Sequence, residues 1–256
     1  MKYLFAFALL VTPVLAQPGG FDVVSIKPSD PLSERQRIGI SPSGSFEAIG
    51  VRLSDLIQQA YNIRPFQLVG ASGWMDTDRY EIHTKDEKPG PSEADFGKMT
   101  EEQRNAARDQ FLGKLQRLLA DRFQLKVHRE TKEMPIYILS LAKGGSKLKA
   151  LPDDGKPGGG LSSRRTDDGK RELVAQKLTA PALTRYLSGQ IGRTIIDQSG
   201  LTGKYDFKLT WAPDMGDTTG PSVFTALQDQ LGLKLDSSKG PVEVVVVESA
   251  QKPSEN

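Results

Sequence analysis

Two short segments combine histidine with a carboxylate in a strand-like pattern. His128 and Glu130 occupy alternate positions of LKVHRETKE, and His83 follows Glu81 by two residues in YEIHTK. Because alternate side chains of a strand point to the same face, each pair shares one face. If the two strands pair, the four groups could bind zinc, or a histidine beside a carboxylate could act as a general base.

The alternative interpretation of these groups is a solvated strand face. Lys126, Lys132 and Lys85 lie in the same segments, and the second half of the chain has Asp236 and Lys208 near the equivalent positions. Two histidines without close ligand spacing are weak support for a metal site. We therefore expect no metal and no cofactor, and we assign no catalytic residue.

Trp74 is the loop residue most suited to contact a partner, because an exposed tryptophan can anchor an interface. Leu201 stands at the corresponding place in the second half of the chain, which favours packing against the core instead. Trp74, His83, His128 and Glu130 are the candidate binding residues.

The first residues have the pattern of a secretory signal peptide. Lys2 precedes an apolar run that extends to Val11, and small residues lead to a cleavage point between Ala16 and Gln17. The apolar stretch is shorter than the roughly 20 residues that cross a bilayer as a helix. We expect export to the periplasm or the medium, with no membrane span after cleavage.

Composition narrows the function classes. The chain has no cysteine, 37% hydrophobic and 26% charged residues, and removal of Lys2 leaves 33 basic against 32 acidic residues. Because the net charge of the mature chain is close to zero, its composition does not indicate a basic surface of the kind that binds nucleic acid. Thiol chemistry is excluded, and stability must come from burial of a core, for which the mature length is sufficient.

The chain resembles itself at a distance of just over a hundred residues. The offset is 127 near the start of the repeat and falls to 125, 108 and 106, each change lying in a loop. Such stepwise changes are what a duplication with loop insertions predicts. The matched pairs are Phe46 with Leu173, Val51 with Leu178, Leu56 with Leu183, Ser72 with Ser199, Gly73 with Gly200, Tyr80 with Tyr205, Leu119 with Leu227, Asp121 with Asp229, Leu125 with Leu233, Lys126 with Lys234 and Pro135 with Pro241.

Both copies predict an α+β fold of β-hairpin, helix, strand, helix and two strands. Thr100 with Gln103 forms a capping box for the second helix of the first copy, and Ser222 begins its counterpart. Gly232 is expected to end that counterpart in a left-handed conformation. The unbroken run from Val244 to Val247 predicts a central strand that is covered on both faces.

These patterns divide the chain into four parts. Residues 1–16 are the signal peptide, and residues 17–142 are the first repeat, to which FDVVSIKPS adds an N-terminal strand. Residues 143–172, with the stretch KPGGG, form a flexible Gly/Pro-rich linker. Residues 173–256 are the second repeat and a C-terminal tail. Whether the copies form two lobes or share a sheet stays open at this point.

Three segments carry a family resemblance: RFQLKVHRETKEMPIYILSLAKGGSKL, IIDQSGLTGKYDFKLTWAPD and FTALQDQLGLKLDSSKGPVEVVVVESAQKPSEN. In that order they resemble the soil-associated protein family, an exported domain of unknown function expanded in acidobacteria. The resemblance implies export and, in some longer relatives, attachment to membrane metallopeptidases similar to the antirepressor sensors of β-lactam resistance. It implies no catalytic residues, and the chain has no HExxH motif.

Two functional hypotheses follow. The first is a non-enzymatic extracytoplasmic binding or interaction module, whose partner is a protein, a peptide or a small molecule. Its binding surface would be an open sheet edge or a cleft between the copies. The alternative is a cell-envelope hydrolase or metal-dependent enzyme that uses His128, Glu130 and His83.

Overall fold

A computed structural model describes residues 20–30, 35–40, 45–86, 91, 95, 98–152, 159–213 and 219–253. The predicted signal peptide, including the cleavage point between Ala16 and Gln17, lies outside the described residues. Among the residues described, no helix is both long and apolar enough to cross a bilayer. The fold is α+β, which confirms the predicted class.

Helices and strands alternate in both halves of the chain. The first half consists of β1 (Val23–Pro28), β2 (Arg37–Ile40), β3 (Phe46–Arg52), α1 (Leu53–Tyr61), a 3-10 turn (Pro65–Gln67), β4 (Leu68–Val69), α2 (Trp74–Thr77), β5 (Arg79–Lys85), α3 (Glu101–Phe123) and β6 (Lys126–Leu141). The second half consists of β7 (Leu161–Arg165), β8 (Arg171–Leu178), α4 (Ala180–Ile191), β9 (Ile195–Asp197), β10 (Tyr205–Trp211), α5 (Val223–Ala226) with a π turn (Leu227–Leu231), and β11 (Leu233–Ser249).

The predicted helix caps are formed. The hydroxyl of Thr100 accepts the N–H of Gln103 at 3.2 Å, and the amide oxygen of Gln103 accepts the N–H of Thr100 at 2.9 Å. The hydroxyl of Ser222 accepts the N–H of Thr225 at 3.2 Å. Gly232 ends the π turn with φ 69°. These groups bind backbone atoms that the first and last helical turns leave unpaired.

The strands form three sheets. An antiparallel sheet of the first half has the order β1–β5–β3–β2, and one of the second half has the order β10–β8–β7. The β2–β3 and β7–β8 pairs are the predicted hairpins, and β1 is the predicted additional strand. The third sheet, with the order β4–β11–β6–β9, takes strands from both halves.

The two consecutive strands expected at the end of each half require a correction, because each pair is one continuous strand, β6 or β11. Pro135 and Pro241 lie inside these strands without interrupting them. The N–H of Tyr137 donates to the carbonyl of Thr194, on the β9 side, so alternate N–H groups of β6 point away from β11. The register places both prolines at such positions, where they remove no hydrogen bond of the β6–β11 ladder.

The order of elements is the same in the two halves, except for β1, the 3-10 turn and α2 of the first half. The short strand of each half pairs in parallel with the long strand of the other half: β4 with β11, and β9 with β6. The halves therefore share the third sheet. The duplication itself stays a prediction, which superposition of residues 46–142 on residues 173–250 would test.

Three apolar clusters stabilise these layers. In the first, Leu56 and Leu119 of α1 and α3 pack with Val245 of β11, and in the second, Leu187 of α4 packs with Leu233 of β11. Val244 lies in the third cluster, on the opposite face of the sheet from Val245. The run from Val244 to Val247 therefore lies in an interior strand with covered residues on both faces, as predicted.

The predicted linker, residues 143–172, contains regular structure where it is described. Strand β7 lies inside it and pairs with β8. At its start, the N–H of Lys147 donates to the carbonyl of Leu231, and Gly232 is so close that an added Cβ would lie 2.1 Å from the carbonyl oxygen of Gly145. Most of the KPGGG stretch lies outside the described residues.

Substitution of Gly232 by alanine should therefore be more damaging than the same change at another left-handed glycine. Gly232→Ala adds a collision with the Gly145 carbonyl to the strain of a positive φ, and we expect a loss of about 3 kcal/mol or more. Gly192→Ala is the matched control: φ is 72° but nothing lies within 4 Å of its added Cβ, so we expect about 1 kcal/mol. Urea unfolding measures both losses, and equal losses would contradict the close approach.

Glu172 is a buried carboxylate near the start of β8, the central strand of the β10–β8–β7 sheet. Its side chain is 5% exposed, and it lies 2.7 Å from an Nη atom of Arg164 and in an ion pair with Lys208. The hydrogen bond from Lys208, followed by that from Arg164, holds the pKa of Glu172 below its ordinary value. Because the folded pKa is lowered, this stabilisation is present above the ordinary glutamate pKa and is lost as pH falls through the lowered one.

Glu172→Gln should accordingly reduce the free energy of unfolding at neutral pH. The difference from the wild type should shrink in acid, because protonation of Glu172 removes the same ion pairs from the wild-type protein. Urea unfolding at a series of pH values measures the trend. Glu133→Gln, at an exposed position of β6, should change little at any pH, and a loss in Glu172→Gln that did not vary with pH would refute this account.

Candidate functional site

His128 lies on an exposed face of β6 among carboxylates. Its Nδ1 atom is 2.8 Å from Oε1 of Glu248 on β11, and its Nε2 atom is 3.9 Å from Oε2 of Glu130. Glu130 also pairs with Lys132 at 2.7 Å, and this hydrogen bond lowers the pKa of Glu130. The predicted proximity of His128 and Glu130 is present, and both side chains are substantially exposed to solvent.

His83 belongs to a different sheet from His128. It lies on an exposed position of β5, opposite Ser25 of β1 and Glu47 of β3. The strand pairing on which the hypothesis of a joint site depends is not formed, because β5 pairs with β1 and β3, whereas β6 pairs with β11 and β9. Within the described ranges, no group of three or more histidine, aspartate or glutamate side chains could hold a metal ion.

Trp74 begins α2 and is half-buried against the first apolar cluster. The ammonium group of Lys252, in the C-terminal tail, lies 5.9 Å from the centre of its ring. Lys252 also lies 2.6 Å from Asp78, and this hydrogen bond is the main cause of the lowered pKa of Asp78. Trp74 thus contacts the core on one side and the tail on the other.

A cleft of about 660 Å³ lies between the two halves, and none of these candidates lines it. Its described walls come from β2, the end of β3, α1 and the 3-10 turn in the first half, and from α4 and the residue before β9 in the second. Its charged lining residues are Arg37, Arg52, Asp55, Arg64 and Arg185. Five side-chain amides complete the polar lining: Gln36, Gln58, Gln59, Asn62 and Gln67.

Arg52 and Asp55 neutralise each other at the start of α1. Two nitrogens of the Arg52 guanidinium donate to the two Asp55 oxygens, each at 2.9 Å. The hydrogen bonds to Asp55 raise the pKa of Arg52. The Arg52 N–H also donates to Asp55 at 3.1 Å, so the pair closes the first turn of the helix. The one carboxylate among the described lining residues is therefore already occupied.

Arg64 and Arg185 meet across the cleft although they are 121 residues apart in sequence. An Nη atom of Arg64 donates to the main-chain carbonyl of Arg185 on α4 at 3.1 Å. The half-buried Arg64 guanidinium lies against Gly189, where an added Cβ would be 3.2 Å from its Cζ atom. Among the described residues, neither Arg64 nor Arg185 has a carboxylate within ion-pair distance.

The backbone around Arg64 is held by Gln67. The amide oxygen of Gln67 accepts the Arg64 N–H at 3.0 Å, and its amide nitrogen donates to the carbonyl of Glu243 on β11 at 2.9 Å. On the opposite wall, the hydroxyl of Ser188 accepts the N–H of Ile195 at 3.0 Å, which ties α4 to β9. Both walls of the cleft are thereby fixed to the shared sheet.

A smaller niche of about 190 Å³ adjoins the cleft, and the two share Phe66 and Thr194. Met134, Pro135 and Val242 of β6 and β11 line the niche and make it largely apolar. Arg193 borders it, with its guanidinium 5.3 Å from the centre of the Tyr137 ring. This cation–π contact directs Arg193 to the aromatic ring.

The residues of this cleft do not stand out in the sequence. Arg64 lies in the segment NIRPFQ and Arg185 on a helix that is recognisable by its apolar face, and neither position belongs to a motif. The sequence suggested a cleft between the halves as one possible binding surface. It did not reveal the contact between Arg64 and Arg185, because no local sequence pattern indicates a contact between residues so far apart.

The comparisons with known proteins give one result. Neither a curated protein nor a solved structure matches the chain. A sequence family described as "Protein of unknown function (DUF3738)" matches residues 54–250, which include the cleft residues from Asp55 to Thr194. That match carries no information on soil or acidobacterial origin, which stays a prediction. Because it covers most of the sequence, the chain belongs to the DUF3738 family of proteins of unknown function.

Proposed function

We propose that this chain is an exported, non-enzymatic binding module and that its ligand occupies the cleft between the halves. The observation that carries the proposal is the contact of Arg64 with α4, which combines elements of both halves around a cavity with a positive lining. A binding site at the junction of two structural units is a common arrangement. The partner is a protein, a peptide or a small molecule.

The chemistry of the lining supports binding over catalysis. Guanidinium and amide side chains donate hydrogen bonds and exchange no protons near neutral pH. Asp55, the carboxylate of the described lining, is held in two hydrogen bonds by Arg52. A general acid or base needs a group that changes protonation in the working range. The described lining therefore suits recognition of a ligand better than acid–base chemistry.

Export is the second part of the proposal. It rests on the N-terminal sequence up to Ala16, which has the pattern of a cleavable signal peptide. Expression of the full chain in a bacterial host, followed by fractionation and mass measurement, should give a protein outside the cytoplasm that begins at Gln17. Retention of the intact precursor in the cytoplasm would argue against export.

The binding role predicts a particular set of mutational effects. A thermal-shift screen against peptides, peptidoglycan fragments and culture extracts should yield a stabilising ligand, and Arg64→Ala or Arg185→Ala should weaken its affinity by about tenfold or more. Arg108→Ala removes an equally charged, exposed side chain from α3, outside the cleft, and should leave the affinity unchanged.

Two outcomes would oppose the binding proposal. If no ligand in any of these sets stabilises the protein and pull-downs are also empty, the module has no binding role of this kind. If a ligand is found but Arg108→Ala weakens it as much as Arg64→Ala, the arginines act through general charge, and the cleft is not the site.

A further inference from the structure

We infer that the ligand of the cleft carries a carboxylate next to an apolar group. The inference rests on the proposed binding function and deepens it by naming the chemistry that is recognised. The carboxylate binds Arg64 and Arg185, and the apolar group enters the niche beside Phe66.

The first step of the inference concerns charge. Some half-buried and buried cations of the described structure are paired with carboxylates, as Lys114 is with Asp86 at 2.6 Å. Others, such as Arg79, donate to a main-chain carbonyl instead. Arg64 is half-buried and lies next to Arg185, yet no described carboxylate pairs with either. Partial burial of Arg64 makes its unpaired charge costly, and because Arg64 and Arg185 both line the cleft, an anion there gains from the positive charge of both residues.

The second step concerns geometry. Arg64 uses one Nη atom on the carbonyl of Arg185, which leaves further N–H donors of its planar fork. The bare backbone of Gly189 lets the guanidinium lie close to α4, and Gln67 fixes the main chain from which the side chain extends. A pre-oriented guanidinium fork matches the two oxygens of a carboxylate, and its fixation limits the entropy lost on binding.

The third step concerns the neighbouring niche. It shares Phe66 and Thr194 with the cleft and is otherwise lined by Met134, Pro135, Val242, Gly192 and Arg193, whose guanidinium lies over the Tyr137 ring. An apolar group placed there leaves water while the anion stays with the arginines. This combination of charge and apolar surface occurs at the C-terminus of a peptide with an apolar last residue and in a small free acid.

Arg64 could also contribute to folding stability instead of ligand binding, and the test must distinguish these two roles. A cation near the C-terminal end of α4 stabilises that end through the helix dipole. Arg64→Lys keeps the charge but not the planar fork. Loss of binding without loss of thermal stability in this variant would therefore identify recognition and not a contribution to folding.

The test uses calorimetric titration of the full protein with matched probes. The probes are a short alanine peptide that ends in phenylalanine with a free carboxylate, its C-terminal amide, the same peptide with glycine at its end, and 3-phenylpropanoate. We expect the free-acid peptide to bind at least about tenfold more tightly than the amide and the glycine-ended peptide. Arg64→Lys and Arg185→Gln should each weaken it by about tenfold, and Arg108→Ala by less than about twofold.

The probes also distinguish the two sources of the carboxylate. Binding of the free-acid peptide without 3-phenylpropanoate indicates a peptide C-terminus, and binding of both indicates a small acid; either result supports the inference. Equal binding of the acid and the amide would overturn it. It would also be overturned if the screen found a cleft ligand that depends on Arg64 but contains no carboxylate, such as a phosphate ester, although the binding function would stand. Failure of every ligand class would remove both proposals.

Discussion

The antiparallel pairing of β6 with β11 is the interaction on which the rest of the structure depends. The ladder extends from Leu233 opposite Leu141 to Ser249 opposite Lys126, so it joins the last strand of one half to the last strand of the other. Because these strands are far apart in sequence, their pairing closes a long loop and costs conformational entropy. Burial of apolar side chains must offset that cost. Val245 and Leu233 of β11 supply that burial in two different clusters, one on the helices of each half.

The cleft is a consequence of this ladder. Strand β4 attaches to β11 and β9 attaches to β6, each in parallel, so the connections before these short strands are drawn to the same sheet. One of these connections contains Arg64, and α4, which carries Arg185, leads into the other. The hydrogen bond from Gln67 to Glu243 completes the attachment on one side. The distance between the two arginines is therefore set by strand register, which is among the most strongly specified features of a sheet with buried faces.

Local sequence determines much of this fold but not its site. The caps at Thr100 and Ser222 could be predicted because they depend on groups within three residues. Pro135 misled the prediction of a strand break, because the direction of its missing N–H depends on the neighbouring strands. The same limitation applies to His83 and His128, whose meeting required a strand pairing that the fold does not form. The contact of Arg64 with α4 depends on three such pairings at once, so no local pattern could reveal it.

The polar groups elsewhere in the described structure differ from those of the cleft in how their charges and hydrogen bonds are satisfied. Each described side-chain nitrogen or oxygen that is fully buried has a hydrogen-bond partner, and the buried carboxylate of Glu172 has two cations. A sequence that satisfies its polar groups in this way departs from the rule where function requires it. Arg64 and Arg185 are such a departure, because two positively charged residues line the same cleft and no described carboxylate pairs with either. A bound anion would supply the negative charge that pairs with these arginines. The shared sheet holds the segments that carry Arg64 and Arg185 in place in the absence of a ligand.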